Sequence, residues 1–383
     1  MNILISTVSR SDFGILSNLV KNLKNKKKYK IKIIATGEHY SVKMGNTYQE
    51  ISNQKIFIDN KIKLKEYNSS PLSVLKKSSE IIFKLSNYLK RYKPDLLIIL
   101  GDKYETLMVA YCAFINKIPI AHIHGGEKTV GSLDDTFRHQ ISKMSNIHYV
   151  EKKVYKKRLI QLGETAENII VCGSLSKESL KNHDFHKREV IAKKFKINFL
   201  KKNMIFTYHP ETVTKINKKK INEIFSIFKN NPEIMFIVTA PNLDIGSDYL
   251  RALIKKKKKL KNVKYIKSFG QDYYFSILNI VDGIIGNSSS GIIEAPALKK
   301  FTINIGKRQT GRFFEKTVIN CLDNIKDIEK AIKFAYSNKF RLIQKNLKIK
   351  DNLTASKIIE KSIRNFNFKH HKYKVFKDIK FNY

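Results

Sequence analysis

The segment AHIHGGEKTVGSLDDTFRH, residues 121–139, gathers three histidines, three acids, an arginine and a Gly-Gly pair. Imidazoles and carboxylates are the side chains that move protons near neutral pH. The segment starts as a strand, PIAHI (119–123), turns at Gly125-Gly126 and enters a helix at about Asp134. His124, Glu127 and Asp134 are its candidates for acid–base work. The bland alternative for Asp134 is structural: acids in a first helical turn suit the helix dipole. Asp134 and Arg138 are spaced i, i+4 and so share a helix face. Strand alternation would put His122 and His124 on one face, but no third ligand follows at a metal-binding spacing. No metal site is therefore expected. Upstream, LGDKYET (100–106) sets Asp102 just past another strand. An α/β fold places catalytic carboxylates there, although a helix N-cap would stand there equally well.

Three further stretches suit an anion. STVSRSDFG (6–14) follows the first apolar run and opens a helix. Free N–H groups at that helix start, with Arg10 beside them, would hold negative charge. A plain loop capped by Ser11 or Asp12 is the alternative. TYHPET (207–212), with His209, and APNLDIGS (240–247) close two later strands. The most specific stretch is IIGNSSSGIIEAPALKKFTINIGKRQTGR (284–312). A strand ends in Gly286. Asn287, Ser289, Ser290 and Gly291 lead into a helix with Glu294 one turn in. Arg308 and Arg312 lie past the following strand. Hydroxyls and N–H groups at a helix start make a phosphate cradle, and a Glu a turn further on can accept hydrogen bonds from a ribose diol. Of the 74 basic residues only ten are Arg. Arg10, Arg138, Arg308 and Arg312 all stand beside candidate residues, where a planar fork does what Lys cannot.

Positioning these groups falls to a repeated βα rhythm. Buried-strand patterns occur at 2–6, 31–35, 95–100, 119–123, 147–150 and 168–172, with helical patterns at 12–24, 72–92, 103–116, 134–144 and 151–162. The rhythm restarts with strands at 204–208, 234–240, 263–266, 283–286 and 301–306, and helices near 217–230, 247–260, 270–280, 290–299 and 326–336. The expected fold is α/β, with two doubly wound Rossmann-like domains facing across a cleft. The first spans 1–180 and the second 203–365. The polar stretch 181–202 is the linker region, and the basic tail 366–383 is unassigned.

A length of 383 residues suits two domains. The formal net charge of +41 sits largely in lysine runs such as 25–31, 215–220 and 255–260. No nucleic-acid motif accompanies them, so they read as solvated faces, with neither nucleic acid nor membrane as partner. No apolar run is long enough for a membrane span, and MNILISTVSR lacks the basic start of a signal peptide. Cys112, Cys172 and Cys321 fit no disulfide or metal pattern, which suits a cytoplasmic setting. Homo-oligomerisation is left open.

GDKYE, HIHGGEKT…DDTFRH, HPET, PNLDIGS and GNSSSGIIEAP…INIGKRQTGR, in that order, resemble the hydrolysing UDP-N-acetylglucosamine 2-epimerases of bacterial sialic acid synthesis. They are similar also to relatives acting on nucleotide-linked diacetylbacillosamine in legionaminic acid synthesis. The S-R-S-D-F-G start resembles the hydrolysing branch. The resemblance covers about residues 2 to 315. It implies a glycosyltransferase-B-like fold, a nucleotide sugar in the cleft, a C-terminal helix returning to the first domain, and neither metal nor nicotinamide. It implies anti-elimination of UDP across C1–C2 to a 2-acetamidoglucal, then water addition to N-acetylmannosamine. Asp102 and Asp134 match its catalytic carboxylates. Arg10, His209, Ser289, Ser290, Gly291 and Glu294 match its nucleotide-binding positions, with Arg312 beside them. Two residues depart from the family pattern. Lys103 replaces an Arg, and His124 replaces a Glu, so either His124 or Glu127 takes over the proton transfer. A glycosyltransferase with the same cradle, and a basic nucleic-acid or membrane-surface protein, are the competing readings.

Overall fold

A computed structural model describes residues 1–213, 216–348, 354–368 and 374–379. The first sheet contains β1 (Asn2–Thr7), β2 (Lys30–Ala35), β3 (Asn60–Lys61), β4 (Leu96–Leu100), β5 (Ile120–Ile123), β6 (Ile147–Val150) and β7 (Ile169–Val171). They are all parallel, in the order β3-β2-β1-β4-β5-β6-β7. The second sheet contains β8 (Lys202–Thr207), β9 (Ile234–Thr239), β10 (Val263–Ile266), β11 (Gly283–Gly286), β12 (Phe301–Ile305) and β13 (Val318–Cys321). It too is parallel, in the order β10-β9-β8-β11-β12-β13. Helices cover both faces of each sheet. That is why central strands such as LLIIL of β4 and IMFIVT of β9 are buried at every residue and read as unbroken apolar runs.

In both sheets the order of strand addition reverses between the first and fourth strands in chain order, at β1/β4 and at β8/β11. Such switch points leave a crevice at the carboxyl ends of the strands. The helix Arg10–Lys24 follows β1 directly. Its cap is Ser9, whose side chain accepts from the Asp12 N–H, rather than Ser11 or Asp12.

Several elements differ from the sequence expectation. The helix expected over 217–230 is broken into Lys218–Ile224 and Ile227–Asn230. The stretch 181–202 holds a helix, Arg188–Phe195, whose Ile191 joins Ile197 in the core under the second sheet. The edge strands β3 and β13 have too little buried surface to show an apolar run. As the resemblance implies, the helix Ala355–Asn365, although it follows the second sheet in sequence, packs on the helix Arg10–Lys24. Ala355, Ile359 and Ile363 join the core of the first domain. Of the basic tail, 369–373 and 380–383 lie outside the described residues. Among the described residues no helix is long and apolar enough to cross a membrane.

Candidate active site

The four switch-point loops converge. After β1 come Ser9 and Arg10, after β4 come Gly101 and Asp102, after β8 comes His209, and after β11 come Ser288, Ser289 and Ser290. Residues of all four loops line one cavity between the two domains.

On the first-domain side the acids are held by Arg138. Its guanidinium is fully buried and donates to Asp102, to the His124 carbonyl at 2.8 Å and to the Thr129 hydroxyl at 3.1 Å. Arg138 therefore serves Asp102 and not Asp134, the residue with which it shares a helix face. Asp134 instead accepts from the Ser132 hydroxyl at 2.9 Å. Burial pushes the Asp134 carboxyl up to about 8, and the neighbouring carboxylates of Asp102 and Asp244 add to this, against the pull of Arg308. Asp134 is thus a proton donor at neutral pH, while Asp102 is tethered to a cation. The two carboxyls of one site thus sit in different surroundings, Asp102 on a guanidinium and Asp134 on a hydroxyl.

His122 and His124 do not share a face. β5 ends at Ile123, and His124 adopts a left-handed conformation (φ 69°), with its N–H on the Tyr149 carbonyl at 3.0 Å. The turn completes at Gly126 (φ 73°), where a Cβ would stand 2.4 Å from the Tyr155 carbonyl oxygen. His122 stays in the sheet, buried. His124 faces the cavity. Glu127 lies behind it and does not line the cavity. Its carboxylate is 3.7 Å from His124 Nδ1, 3.0 Å from Arg312 and 3.7 Å from Arg138. Burial alone would raise Glu127, but Arg312 foremost, then His124 and Arg138, outweigh it and hold the group below the usual carboxylate range. Glu127 is therefore a fixed anion bracing His124 and Arg312.

The second domain supplies the serine-rich helix start in which the sequence suggested an anion cradle. The helix Ser290–Ala297 starts at the cavity, and Ser289 at its cap position makes no capping bond through its side chain. The Ser290 hydroxyl meets the Tyr274 hydroxyl at 2.6 Å. Arg10, Arg308 and Arg312 also line the cavity. Glu294 lines the cavity and accepts from the Ser176 hydroxyl at 2.5 Å. His209, Asn287 and Gly291 divide the remaining work. Asn287 is buried and exchanges two hydrogen bonds with the His209 backbone, at 2.7 and 2.9 Å, locking the ends of β8 and β11 together. Its carbonyl accepts from Arg308 and Gln309. His209 lines the cavity, and burial, reinforced by Arg308, drives its pKa well down, so the ring is neutral. Gly291 lies behind the cradle, where a Cβ would stand 2.6 Å from Thr302 Cγ2; it serves close helix–strand packing.

Three cavity-lining groups, Glu38, Ser176 and Gln271, carried no motif signal. Glu38 pairs with Lys103 at 3.1 Å and accepts from the Leu243 N–H of the second domain at 3.0 Å. Asp244 reaches the same acids from the second domain. Ser176 supports Glu294. Gln271 donates to the Gly14 carbonyl at 2.7 Å across the cleft. Only Lys103 and Asp244 fell inside quoted stretches. Among the described residues no group of three or more His, Cys, Asp or Glu is arranged to hold a metal ion.

Two facing Rossmann-like domains, with acids on one wall and an anion cradle on the other, define a two-domain α/β enzyme of the glycosyltransferase-B-like class. The model of the family described as UDP-N-acetylglucosamine 2-epimerase matches residues 21–361. A GDP/UDP-N,N'-diacetylbacillosamine 2-epimerase (hydrolyzing) of Campylobacter jejuni is 35% identical over 342 residues, 88% of each chain. The polysialic acid biosynthesis protein P7 of Escherichia coli is 33% identical, over 98% of this chain and 97% of its own. Among solved structures, the UDP-GlcNAc 2-epimerase of Neisseria meningitidis bound to UDP-GlcNAc superposes with a TM-score of 0.78 at 20% identity, over 96% of this chain and 100% of its own. The chain belongs to the UDP-N-acetylglucosamine 2-epimerase family, and it is an enzyme of the hydrolysing nucleotide-sugar 2-epimerase kind.

Proposed function

We propose that the protein converts UDP-N-acetylglucosamine and water to N-acetylmannosamine and UDP. The observation that carries this reading is the cavity itself. Its lining, which supports the reading, combines Asp134, an Arg138-held Asp102 and His124 with the Ser289–Ser290 helix start and three arginines. In the first half-reaction a base takes the C2 proton, the C1–oxygen bond breaks with its electron pair leaving on UDP, and a 2-acetamidoglucal forms. Arg10, Arg308, Arg312 and the helix start stabilise the diphosphate as charge builds on it. In the second half-reaction water adds its hydroxyl to C1, and C2 regains a proton on the opposite face. His124, on the cavity wall, is assigned the proton at C2. Asp102 and Asp134 serve the leaving and adding steps. Glu127 fixes the orientation and charge of His124.

The likeness to the Escherichia coli polysialic acid protein supports a place in sialic acid synthesis. Three unpaired cysteines support a cytoplasmic setting. A second reading has its own support: the 35% identical Campylobacter relative bears the name of a diacetylbacillosamine enzyme. The same chemistry then acts on a 4-acetamido-6-deoxy sugar. Proton NMR of the products from each nucleotide sugar in D2O tests both. Free N-acetylmannosamine with deuterium at C2 is the expected product. Turnover of the diacetylbacillosamine nucleotide alone replaces the first reading by the second. Transfer to an added acceptor, with no free sugar, refutes both.

A further inference from the structure

Behind the acid wall lies a buried polar cluster that the reaction does not use. Glu164 is 3% exposed at its side chain and meets three nitrogen donors: the His148 ring at Nε2, 2.9 Å away, the Lys143 ammonium at 3.0 Å, and Lys374 from the C-terminal tail. Burial by itself would raise the Glu164 carboxyl, but the His148 hydrogen bond and then the charges of His148 and Lys374 outweigh it and hold it at about 2. Lys374 also donates to the Ser142 carbonyl at 2.9 Å. Two residues on, the Phe376 ring covers Gly163, where a methyl would stand 2.4 Å from the ring, and it lies 4.8 Å from Lys143 Nζ. The Lys377 N–H donates to the Gly163 carbonyl at 3.0 Å. Residues 374–377 are thus bound to the first domain at three points, although Val375 and Phe376 are 78% and 61% exposed. A segment with so little buried surface is not held there by its own apolar packing.

Ser142 connects this anchor to the acids. It is fully buried and sits in the helix Asp134–Met144, which carries Asp134 and Arg138. Its hydroxyl lies 3.1 Å from His122 Nδ1, and His122 Nε2 lies 2.8 Å from the Gly101 carbonyl oxygen. A carbonyl only accepts, so Nε2 carries the proton and Nδ1 accepts from Ser142. His122 therefore pins the left-handed Gly101 (φ 87°), the residue that turns the chain into Asp102. Beside it in the sheet, His122 pairs in register with His148, the partner of Glu164.

We propose that the C-terminal segment 374–377 is a strap and that Lys374 is a positioning residue for Asp102. It acts by clamping the Ser142 end of the Asp134 helix and the Glu164–His148 pair, which together fix the His122 tautomer and the Gly101 turn. Lys374 touches no substrate. Misplacing a reacting carboxylate by a fraction of an ångström lowers the chemical step and leaves ground-state binding largely intact.

The test uses the full chain, with Lys374→Ala, Lys374→Arg and Phe376→Ala. The last alters an exposed ring, so folding is not at stake. In Lys374→Ala, kcat falls about tenfold while KM stays within about twofold, the pattern of a lost transition-state interaction. Lys374→Arg restores most of the rate, and Phe376→Ala falls between. In selectively labelled protein the His122 ring nitrogen signals move in Lys374→Ala and return in Lys374→Arg. A kcat that Lys374→Ala leaves unchanged, a loss confined to KM, or unmoved His122 signals each overturn the proposal. The rate arm presumes the 2-epimerase activity; the His122 signals do not, so a parent chain that turns over no nucleotide sugar refutes that activity and leaves the strap to the NMR result.

Discussion

Replacing Asp134 by Asn should separate stability from activity with opposite signs. In an unfolded chain this carboxyl titrates near 3.8, and in the fold it is pushed up to about 8. The folded state therefore binds its proton more tightly than the unfolded chain does. Its contribution to stability is complete below about pH 4 and is lost as pH rises through about 8. Above that, folding keeps the Asp134 charge beside the Asp102 and Asp244 carboxyls. At about 1.4 kcal/mol per pH unit the interval from 3.8 to about 8 gives a ceiling of roughly 6 kcal/mol. Asp134 opens onto the cleft, where solvent screens it, and about 1–2 kcal/mol is the part expected to be seen. Asn keeps the shape and never ionises. Asp134→Asn and the parent should melt closest together at pH 5, where most of the contribution remains, and the variant should melt about 2 °C higher at pH 8.5. Turnover should fall about a hundredfold or more, because the proton to be donated is gone. In the parent, the rate should decline as pH rises through about 8. Scanning calorimetry from pH 5 to 9, with kcat at each pH, measures both. Melting curves that run parallel across the whole range refute the protonated-acid assignment.

Asp102→Asn should fold, keep Arg138 buried and lose about a hundredfold or more in kcat; a rate within about threefold of the parent removes Asp102 from the chemistry. Ser290→Ala and Arg308→Ala should each weaken UDP about tenfold by calorimetry, and unchanged affinity in both disposes of the phosphate cradle. His124→Gln should be dead while Glu127→Gln keeps measurable turnover, since only His124 reaches the cavity; the reverse order of kcat transfers the proton to Glu127. Activity should survive EDTA, because Arg10, Arg308 and Arg312 are available to the diphosphate; a loss restored by one divalent ion contradicts this.

The sequence made the central strands and the loops after them legible because each is an apolar run ended by Gly or a polar group. β4 followed by Gly101-Asp102, and β11 followed by Asn287–Ser290, needed no tertiary information. What it hid was contact at long range. The pairing of Arg138 with Asp102 crosses 36 residues, so helix spacing pointed to Asp134 instead. His124 was placed on the face of His122 by strand alternation, which fails once the chain turns left-handed. Glu127 and His124 looked interchangeable in sequence, and only depth separates them. The support from Ser176 to Glu294 spans 118 residues and leaves no local trace. Short or half-exposed elements such as β3, β13 and the helix Arg188–Phe195 were missed because they bury too little to impose a period.

The return of the helix Ala355–Asn365 to the first domain means that the chain passes between the two domains twice. The second domain is in effect an insertion within the first. A body held by one tether can swivel and slide freely; held by two, it is left chiefly with rotation about the line joining them. Opening of the cleft to admit substrate should therefore follow a single arc, bringing the Ser289–Ser290 wall back to the acids in the same register on every turnover. The same connectivity sets an order of assembly on the ribosome. The second domain is fully synthesised while the first still lacks Ile359 and Ile363, so the core of the first domain is completed last.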